Sequence, residues 1–71
     1  MDYGKIIGIQ GHIIEVEFTD NQPNLHDVLV LEKDASTKME VFASKGRLSF
    51  FCISLSKIHN MFRGMKVVNT K

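Results

Sequence analysis

The sequence predicts an all-β fold, a small closed barrel of six antiparallel strands. Apolar residues recur with period two and hold no sustained period of 3.6. Turn-forming residues return about every 8 to 12 positions, which divides the chain into six short segments. An open sheet of this size would expose two strand edges that pair with other chains, and closure into a barrel removes both edges.

The first two strands are predicted on either side of Gly11. Residues 4–10 alternate loosely between apolar and polar side chains, and residues 13–18 (IIEVEF) alternate cleanly. We expect the two glutamates of the second segment to face solvent. The alternate apolar residues should then line the core: Ile14, Val16 and Phe18. Gly11 is expected at the turn, because glycine adopts a positive φ without steric cost.

Four further strands are predicted at residues 28–32, 38–43, 47–55 and 65–69. Loops or turns separate them. Pro23 excludes residues 19–24 from a strand ladder. In the turn KDAST (residues 33–37) the side chains of Asp34 and Ser36 can bond nearby backbone amides. Residues 56–60 (SKIHN) are expected to form a loop or one helical turn.

The fifth predicted strand is apolar on both of its faces. Leu48, Phe50 and Cys52 alternate with Phe51, Ile53 and Leu55. Such a strand is needed where one face lines a core and the other meets a neighbour. Phe51 and Ile53 are therefore the candidate contacts with another subunit, because both are poor choices for an isolated soluble surface. The alternative is that a loop covers them, or that this face completes the small core.

Composition limits the protein to one small domain and excludes several classes. The 71 residues carry a net charge of +1 with acids and bases interspersed, so a basic stripe for nucleic acid is absent. No apolar run approaches the roughly 18 residues of a membrane span, and the N-terminus lacks signal-peptide features. We expect a cytosolic protein. Its one cysteine, Cys52, lies among apolar residues and is expected to be a buried structural thiol.

The sequence contains no catalytic or metal-binding motif. No glycine-rich segment is followed by Lys and Ser/Thr as in a phosphate-binding loop. His12, His26 and His59 are scattered and share no ligand spacing with Cys52. The glutamates of the second strand are expected to be solvated and not an acid/base pair. We therefore expect no catalytic, cofactor or metal site in this segment.

Four segments of the chain resemble, in order, the N-terminal region of the catalytic beta subunit of rotary F-type ATP synthases. They are GKIIGIQGHIIEVEF (residues 4–18), PNLHDVLVLE, MEVFASKG and FRGMKVVNT. The matching positions are Gly4, Lys5, Ile6, Gly11, Val16, Phe18, Pro23, Leu25, Leu29, Glu40, Val41, Gly46, Arg63, Gly64 and Met65. The Arg-Gly-Met triplet resembles the beta type, whereas the corresponding turn of the alpha subunit is similar to Glu-Gly-Asp.

The chain also departs from the family pattern. Residues 57–60 replace a Ser-Thr-Asp/Glu-Gly turn, and Asn60 stands in for a glycine of left-handed conformation, which asparagine tolerates. Phe51 stands where the family tends to hold arginine. The resemblance therefore fits the main beta subunit or a divergent paralogue. It implies a set of turn and barrel-closure residues: Gly4, Gly11, Gly46, Asn60, Arg63, Gly64 and Met65.

The resemblance implies a role in assembly. Residues 1–71 would be the N-terminal β-barrel of a larger subunit, and six barrels from alternating alpha and beta subunits would form a crown that holds the hexamer together. The neighbouring alpha-type subunits would be the partners. ATP or ADP and Mg would bind in a nucleotide domain beyond residue 71, where ATP synthesis or hydrolysis coupled to ion transport would occur. The complex would be peripheral on the cytoplasmic face of the membrane, which this segment would meet only indirectly.

A second hypothesis is a free-standing nucleic-acid-binding barrel of the OB or SH3-like kind. The glycine-punctuated opening segment is compatible with it. Near-neutral charge and a single tyrosine, Tyr3, count against it, because the aromatic residues are not interleaved with Lys or Arg. A salt-dependent gel shift with single-stranded and duplex probes discriminates between the two hypotheses.

Overall fold

The computed structural model describes residues 2–55 and 61–70. They form a closed barrel of six strands in the order β1-β2-β5-β4-β3-β6, with every neighbouring pair antiparallel. The strands are β1 Tyr3–Gln10, β2 Ile13–Glu17, β3 Val28–Leu31, β4 Asp34–Ser44, β5 Ser49–Ser54 and β6 Lys66–Asn69. The predicted fold class is confirmed. Within the described ranges there is no helix of the length and apolarity needed to cross a membrane.

One hydrophobic core fills the barrel. The predicted inward side chains of β2 and the residue that follows it are fully buried, and Phe18 meets Phe50 edge-to-face with ring centroids 6.4 Å apart. Cys52 is also fully buried, and this burial raises the pKa of its thiol to about 12, so it is an inert core residue as expected. The core consists of Ile6, Ile14, Val16, Phe18, Leu29, Leu31, Met39, Val41, Phe50, Cys52, Met61 and Val67.

The fourth strand begins four residues earlier than the sequence pattern predicts. A turn at residues 32 and 33 is followed directly by Asp34, the first residue of β4. The Asp34 carboxylate accepts hydrogen bonds from the backbone N–H of Ser36 (3.1 Å), the Ser36 hydroxyl (2.6 Å) and the Thr37 hydroxyl (2.9 Å). The side-chain hydrogen bonds predicted for a turn at residues 33–37 therefore form at the beginning of β4.

Three strand pairs contain a register shift, and the one in the β3–β4 pair lies between Val30 and Leu31. The other two shifts each involve one irregular residue. In β1 the pairing with β2 shifts between Ile6 and Gly8, and in β4 the pairing with β5 shifts between Val41 and Ala43. Each shift inserts one unpaired residue, as in a β-bulge, and bulges bend strands sharply enough to close a small barrel. Phe42, the unpaired residue of the β4 bulge, lies on the outer surface and is 44% exposed.

The two ends of the chain lie side by side. Strand β6 pairs with β1, and the turn before β6 extends this pairing. The N–H of Ile6 donates to the carbonyl of Met65 (2.9 Å), and the N–H of Gly64 donates to the carbonyl of Ile6 (2.7 Å). Gly64 has a φ of +92°. The prediction that both ends belong to one barrel is confirmed, whereas the expected loop at residues 56–60, with Asn60, lies outside the described residues.

Candidate assembly surface

The outward side chains of three adjacent strands form one continuous surface, which we call the β5 face. In the register of β5, Ile53 lies opposite Ile13 of β2 and Glu40 of β4, and Phe51 lies opposite Glu15. Side chains alternate across each strand, so these residues point away from the buried Cys52. The β5 face consists of Ile13, Glu15, Glu17, Glu40, Phe42, Phe51 and Ile53.

The centre of the β5 face is aromatic and aliphatic. Phe42 and Phe51 stack with ring centroids 6.3 Å apart and an angle of 24° between the rings. Phe51 is half-buried, and Ile53 is 42% exposed. The alternative that a loop covers both residues, or that they complete the core, does not describe Ile53. Neighbouring exposed apolar side chains of this kind mark interaction surfaces more often than scattered ones do.

Charged side chains surround this apolar centre. The Lys45 ammonium lies 3.0 Å from a carboxylate oxygen of Glu15 and 5.8 Å from the ring centroid of Phe51. On the other side, His26 Nδ1 lies 3.1 Å from Glu40 Oε2. Surface pairs of this type contribute about 0–1 kcal/mol to stability. Their main effect is to position charged groups around the aromatic pair.

A shallow depression adjoins the aromatic pair. It has a volume of about 200 Å³ and is lined by Gly8, Ile9, Gln10, Ile13, Glu15 and Phe51. Because Gly8 has no side chain, the depression is shallow on the side formed by β1. The arrangement can receive one protruding side chain from a neighbouring molecule.

The residues predicted to serve turns and closure lie apart from this face. Gly4 packs against Phe18 at one end of the barrel, Gly11 sits in the β1–β2 turn with a φ of +62°, and Gly46 lies in the open β4–β5 turn. The Arg-Gly-Met turn lies at the start of β6 and lines a second depression of about 380 Å³, together with Glu32, Lys33 and Lys66. The structure therefore does not bring the two predicted groups of residues together.

Sequence reasoning missed Phe42 as a member of the β5 face. Simple alternation from the buried residues Met39 and Val41 places residue 42 outside, but it does not place its ring against Phe51. The pairing of β4 with β5, in which Val41 lies opposite Cys52, brings the next residues Phe42 and Phe51 together. The available signal was the run Val41-Phe42-Ala43, which is apolar on both faces of its strand.

Metal-ligating side chains are not clustered in residues 2–55 and 61–70. These ranges contain no group of three His, Cys, Asp or Glu side chains that could hold a metal ion. His59 falls outside them. The aromatic pair and its charged rim are a geometry suited to binding another surface.

Comparisons with known proteins point in one direction. No family model matches the chain. The chain is similar to ATP synthase subunit beta 2 of Chlorobium luteolum, with 29% identity over 68 residues. This similarity covers 96% of the present chain but only 14% of that relative, so the chain spans about a seventh of the relative's length. The weak similarity over the whole chain agrees with the resemblance stated above.

Proposed function

We propose that this chain is the N-terminal barrel of a beta-type subunit of a rotary F-type ATP synthase, or of a divergent paralogue. Its function is to join neighbouring barrels into a crown that holds the ring of subunits together. The proposal is supported by the similarity to an ATP synthase beta subunit over 96% of the chain and by the six-stranded closed barrel. The observation that carries it is the outward-facing aromatic pair of the β5 face, Phe42 and Phe51.

A closed barrel must associate through side chains. Each of the six strands formed by the described residues is paired with two neighbours, so none of these strands offers a free edge for pairing with another chain. The β5 face offers Phe42, Phe51 and Ile53 at its centre and glutamates around them. An apolar, aromatic centre with a polar rim is the usual arrangement of specific protein interfaces.

The partners in this proposal are the alpha-type subunits on either side in the ring. ATP or ADP and Mg bind in the remainder of the parent subunit, and no reacting group comes from the present segment. The assembly is peripheral on the cytoplasmic face of the membrane, and the barrel contacts the membrane only through the rotary complex. The β5 face does not support the nucleic-acid-binding alternative, because the charged residues around its aromatic pair are mainly glutamates and not lysines.

Substitution of Phe51 by Asp tests the assembly function. We expect Phe51→Asp to weaken association with the alpha-type subunit of the same organism by roughly thirtyfold or more, as loss of an anchor worth about 2 kcal/mol does. The fold should persist because Phe51 lies on the outer surface. Sedimentation velocity of mixtures measures complex formation, and circular dichroism of the variant measures the fold.

Phe62→Asp is the matched control. Phe62 is 63% exposed and lies before the Arg-Gly-Met turn, away from the β5 face, so the same chemical change there should leave association intact. Equal association of the Phe51→Asp variant and the unsubstituted chain would contradict the proposal. Loss of the β-sheet signal in Phe51→Asp would place the residue in the structural core instead.

A further inference from the structure

The barrel has a second outer surface opposite the first, which we call the β6 face. The strand order separates β5 from β6 by two strands in either direction, so the two strands lie on opposite sides of the barrel. Tyr3 and Lys5 of β1 lie opposite Val68 and Lys66 of β6, and Val30 of β3 also lies opposite Val68. The β6 face consists of Tyr3, Lys5, Val28, Val30, Lys66 and Val68.

The centre of the β6 face is apolar and includes one aromatic ring. Tyr3, Val68 and Val30 form a row across three strands, in which Val68 is half-buried and Val30 is only 8% exposed. Tyr3 is 46% exposed, and the Lys66 ammonium lies 5.8 Å from its ring centroid. This face therefore resembles the β5 face in combining apolar side chains with nearby charges.

The charges on the β6 face are positive. Lys5 and Lys66 lie directly opposite each other on neighbouring strands, an arrangement that is destabilising for like charges. Beyond Lys66, the depression of about 380 Å³ adds Lys33 and Arg63, with Glu32 as the acidic residue of its lining. An acidic surface placed against this face would relieve the repulsion between the two lysines.

The β5 face has the opposite charge. Glu15, Glu17 and Glu40 point outward around its aromatic pair, and Lys45 pairs with Glu15. Glu17 also lies opposite Lys5, and Glu40 lies opposite Val28, so both glutamates stand at the border between the two faces. One side of the barrel is thus apolar with an acidic rim, and the opposite side is apolar with a basic rim.

We propose that the β6 face of one copy of this chain docks on the β5 face of a second copy. The inference rests on the proposed function, in which the β5 face is the assembly surface. It adds the β6 face as a second surface and another copy of the chain as a second partner. Because the two faces differ, the contact is heterologous and can continue from one molecule to the next. Complementary charge orients the docking, and the apolar rows supply the buried area.

The association is expected to be weak. The barrel measures 27 × 24 × 21 Å, so two opposed faces bury roughly 1,000 Å² in total, at the low end for specific interfaces. A dissociation constant on the order of 100 μM is then reasonable for such a contact. High salt should weaken the contact further, since the Debye length falls to about 3 Å at 1 M salt.

Two charge-reversal variants test the contact. Glu40→Lys reverses a charge on the β5 face, at its border with Val28, and Lys66→Glu reverses a charge on the β6 face, where it also removes the Lys5–Lys66 repulsion. We expect each variant alone to self-associate about tenfold more weakly than the unsubstituted chain, as a new like-charge contact requires. An equimolar mixture of the two should recover association, because the altered faces complement each other. Sedimentation velocity over a range of protein and salt concentrations measures this.

Asp20→Lys is the control for Glu40→Lys, since it makes the same charge change in the exposed loop after β2 and should leave association unchanged. A monomeric unsubstituted chain at about 1 mM, roughly ten times the expected dissociation constant, would overturn the proposal. The proposal would also be overturned if the mixture of the two variants associated no more strongly than either variant alone. Either result leaves the proposed function intact if Phe51→Asp still weakens binding to the alpha-type subunit. If the unsubstituted chain self-associates but the Phe51→Asp variant binds the alpha-type subunit normally, the proposed function is contradicted and the self-association is not.

Discussion

At the scale of single residues, Gly4 determines how closely β1 approaches the core. A Cβ atom at this position would lie 2.6 Å from Cδ1 and 2.7 Å from Cζ of Phe18. The Phe18 ring is fully buried and packs against Phe50, so it has little room to move. The position therefore requires glycine because of the close packing of a ring against the backbone.

Gly4→Ala is expected to destabilise the barrel. Because the added methyl group overlaps a buried ring, the free energy of unfolding should fall by about 1–3 kcal/mol, the usual cost of overpacking. Urea denaturation followed by circular dichroism measures the change. Gly46→Ala is the control, since a Cβ there meets nothing within 4 Å and the residue has no positive φ. Equal stability of the two variants would show that Phe18 yields easily and that Gly4 is not needed for packing.

At the scale of elements, the start of β4 depends on one carboxylate. Asp34 accepts hydrogen bonds from Ser36 and from the hydroxyl of Thr37, whose side chain is almost fully buried. The pKa of Asp34 is lowered most by the hydrogen bond from the Ser36 hydroxyl, and further by those from the Thr37 hydroxyl and the Ser36 N–H. These contacts let the strand extend across residues that would otherwise form a longer turn.

Asp34→Ala should loosen this end of β4. Thr37 loses the acceptor of its buried hydroxyl, so the backbone amides of Ser36 and Thr37 should exchange with solvent several-fold faster, while Val41 in mid-strand should change little. Hydrogen exchange followed by NMR measures this. Since the pKa of Asp34 is lower in the folded state, its stabilising effect is present above the ordinary pKa and is lost as pH falls through the folded pKa.

The difference between this variant and the unsubstituted chain should therefore shrink in acid. Asp20→Ala, an exposed loop substitution, is the control for removal of a carboxylate. If exchange at Ser36 were the same in both variants at neutral pH, the early start of β4 would have to come from strand pairing alone.

At the scale of the whole molecule, closure of the barrel isolates Cys52 from water. Burial raises the pKa of its thiol from 9.0 to about 12. In the unfolded chain the thiol ionises near its ordinary pKa, whereas in the folded barrel it stays protonated up to the higher value. Between these two values the unfolded state holds fewer protons, so stability falls as pH rises.

We expect the free energy of unfolding to fall by about 1.4 kcal/mol per pH unit in this range from Cys52 alone. Below pH 9.0, the ordinary pKa, the contribution of the thiol is fully present. Urea denaturation of the chain and of Cys52→Ala at several alkaline pH values measures the effect as a difference in slope. Parallel slopes for the two proteins would mean that the thiol is already accessible to hydroxide in the folded state.

Much of the fold and part of the site were predictable from local pattern. Strict alternation in β2 predicted Ile14, Val16 and Phe18 as core residues, and all three are fully buried. Apolar residues on both faces of β5 predicted that Phe51 and Ile53 lie outside when Phe50 and Cys52 lie inside. The early start of β4 was not predictable, because Asp34 and Ser36 are typical of turns and only the backbone geometry decides otherwise.

The sequence by itself determined the class of fold, the number of strands and which side chains of β2 are buried, because a period of two assigns residues to faces before any contact is known. Only the tertiary structure decided which surfaces the molecule presents. Phe42 meets Phe51 because β4 pairs with β5 in a register that places the two residues next to each other, and the acidic and basic faces become opposite because β5 and β6 take opposite positions in the strand order. Both facts depend on pairing between distant segments, which local patterns do not encode.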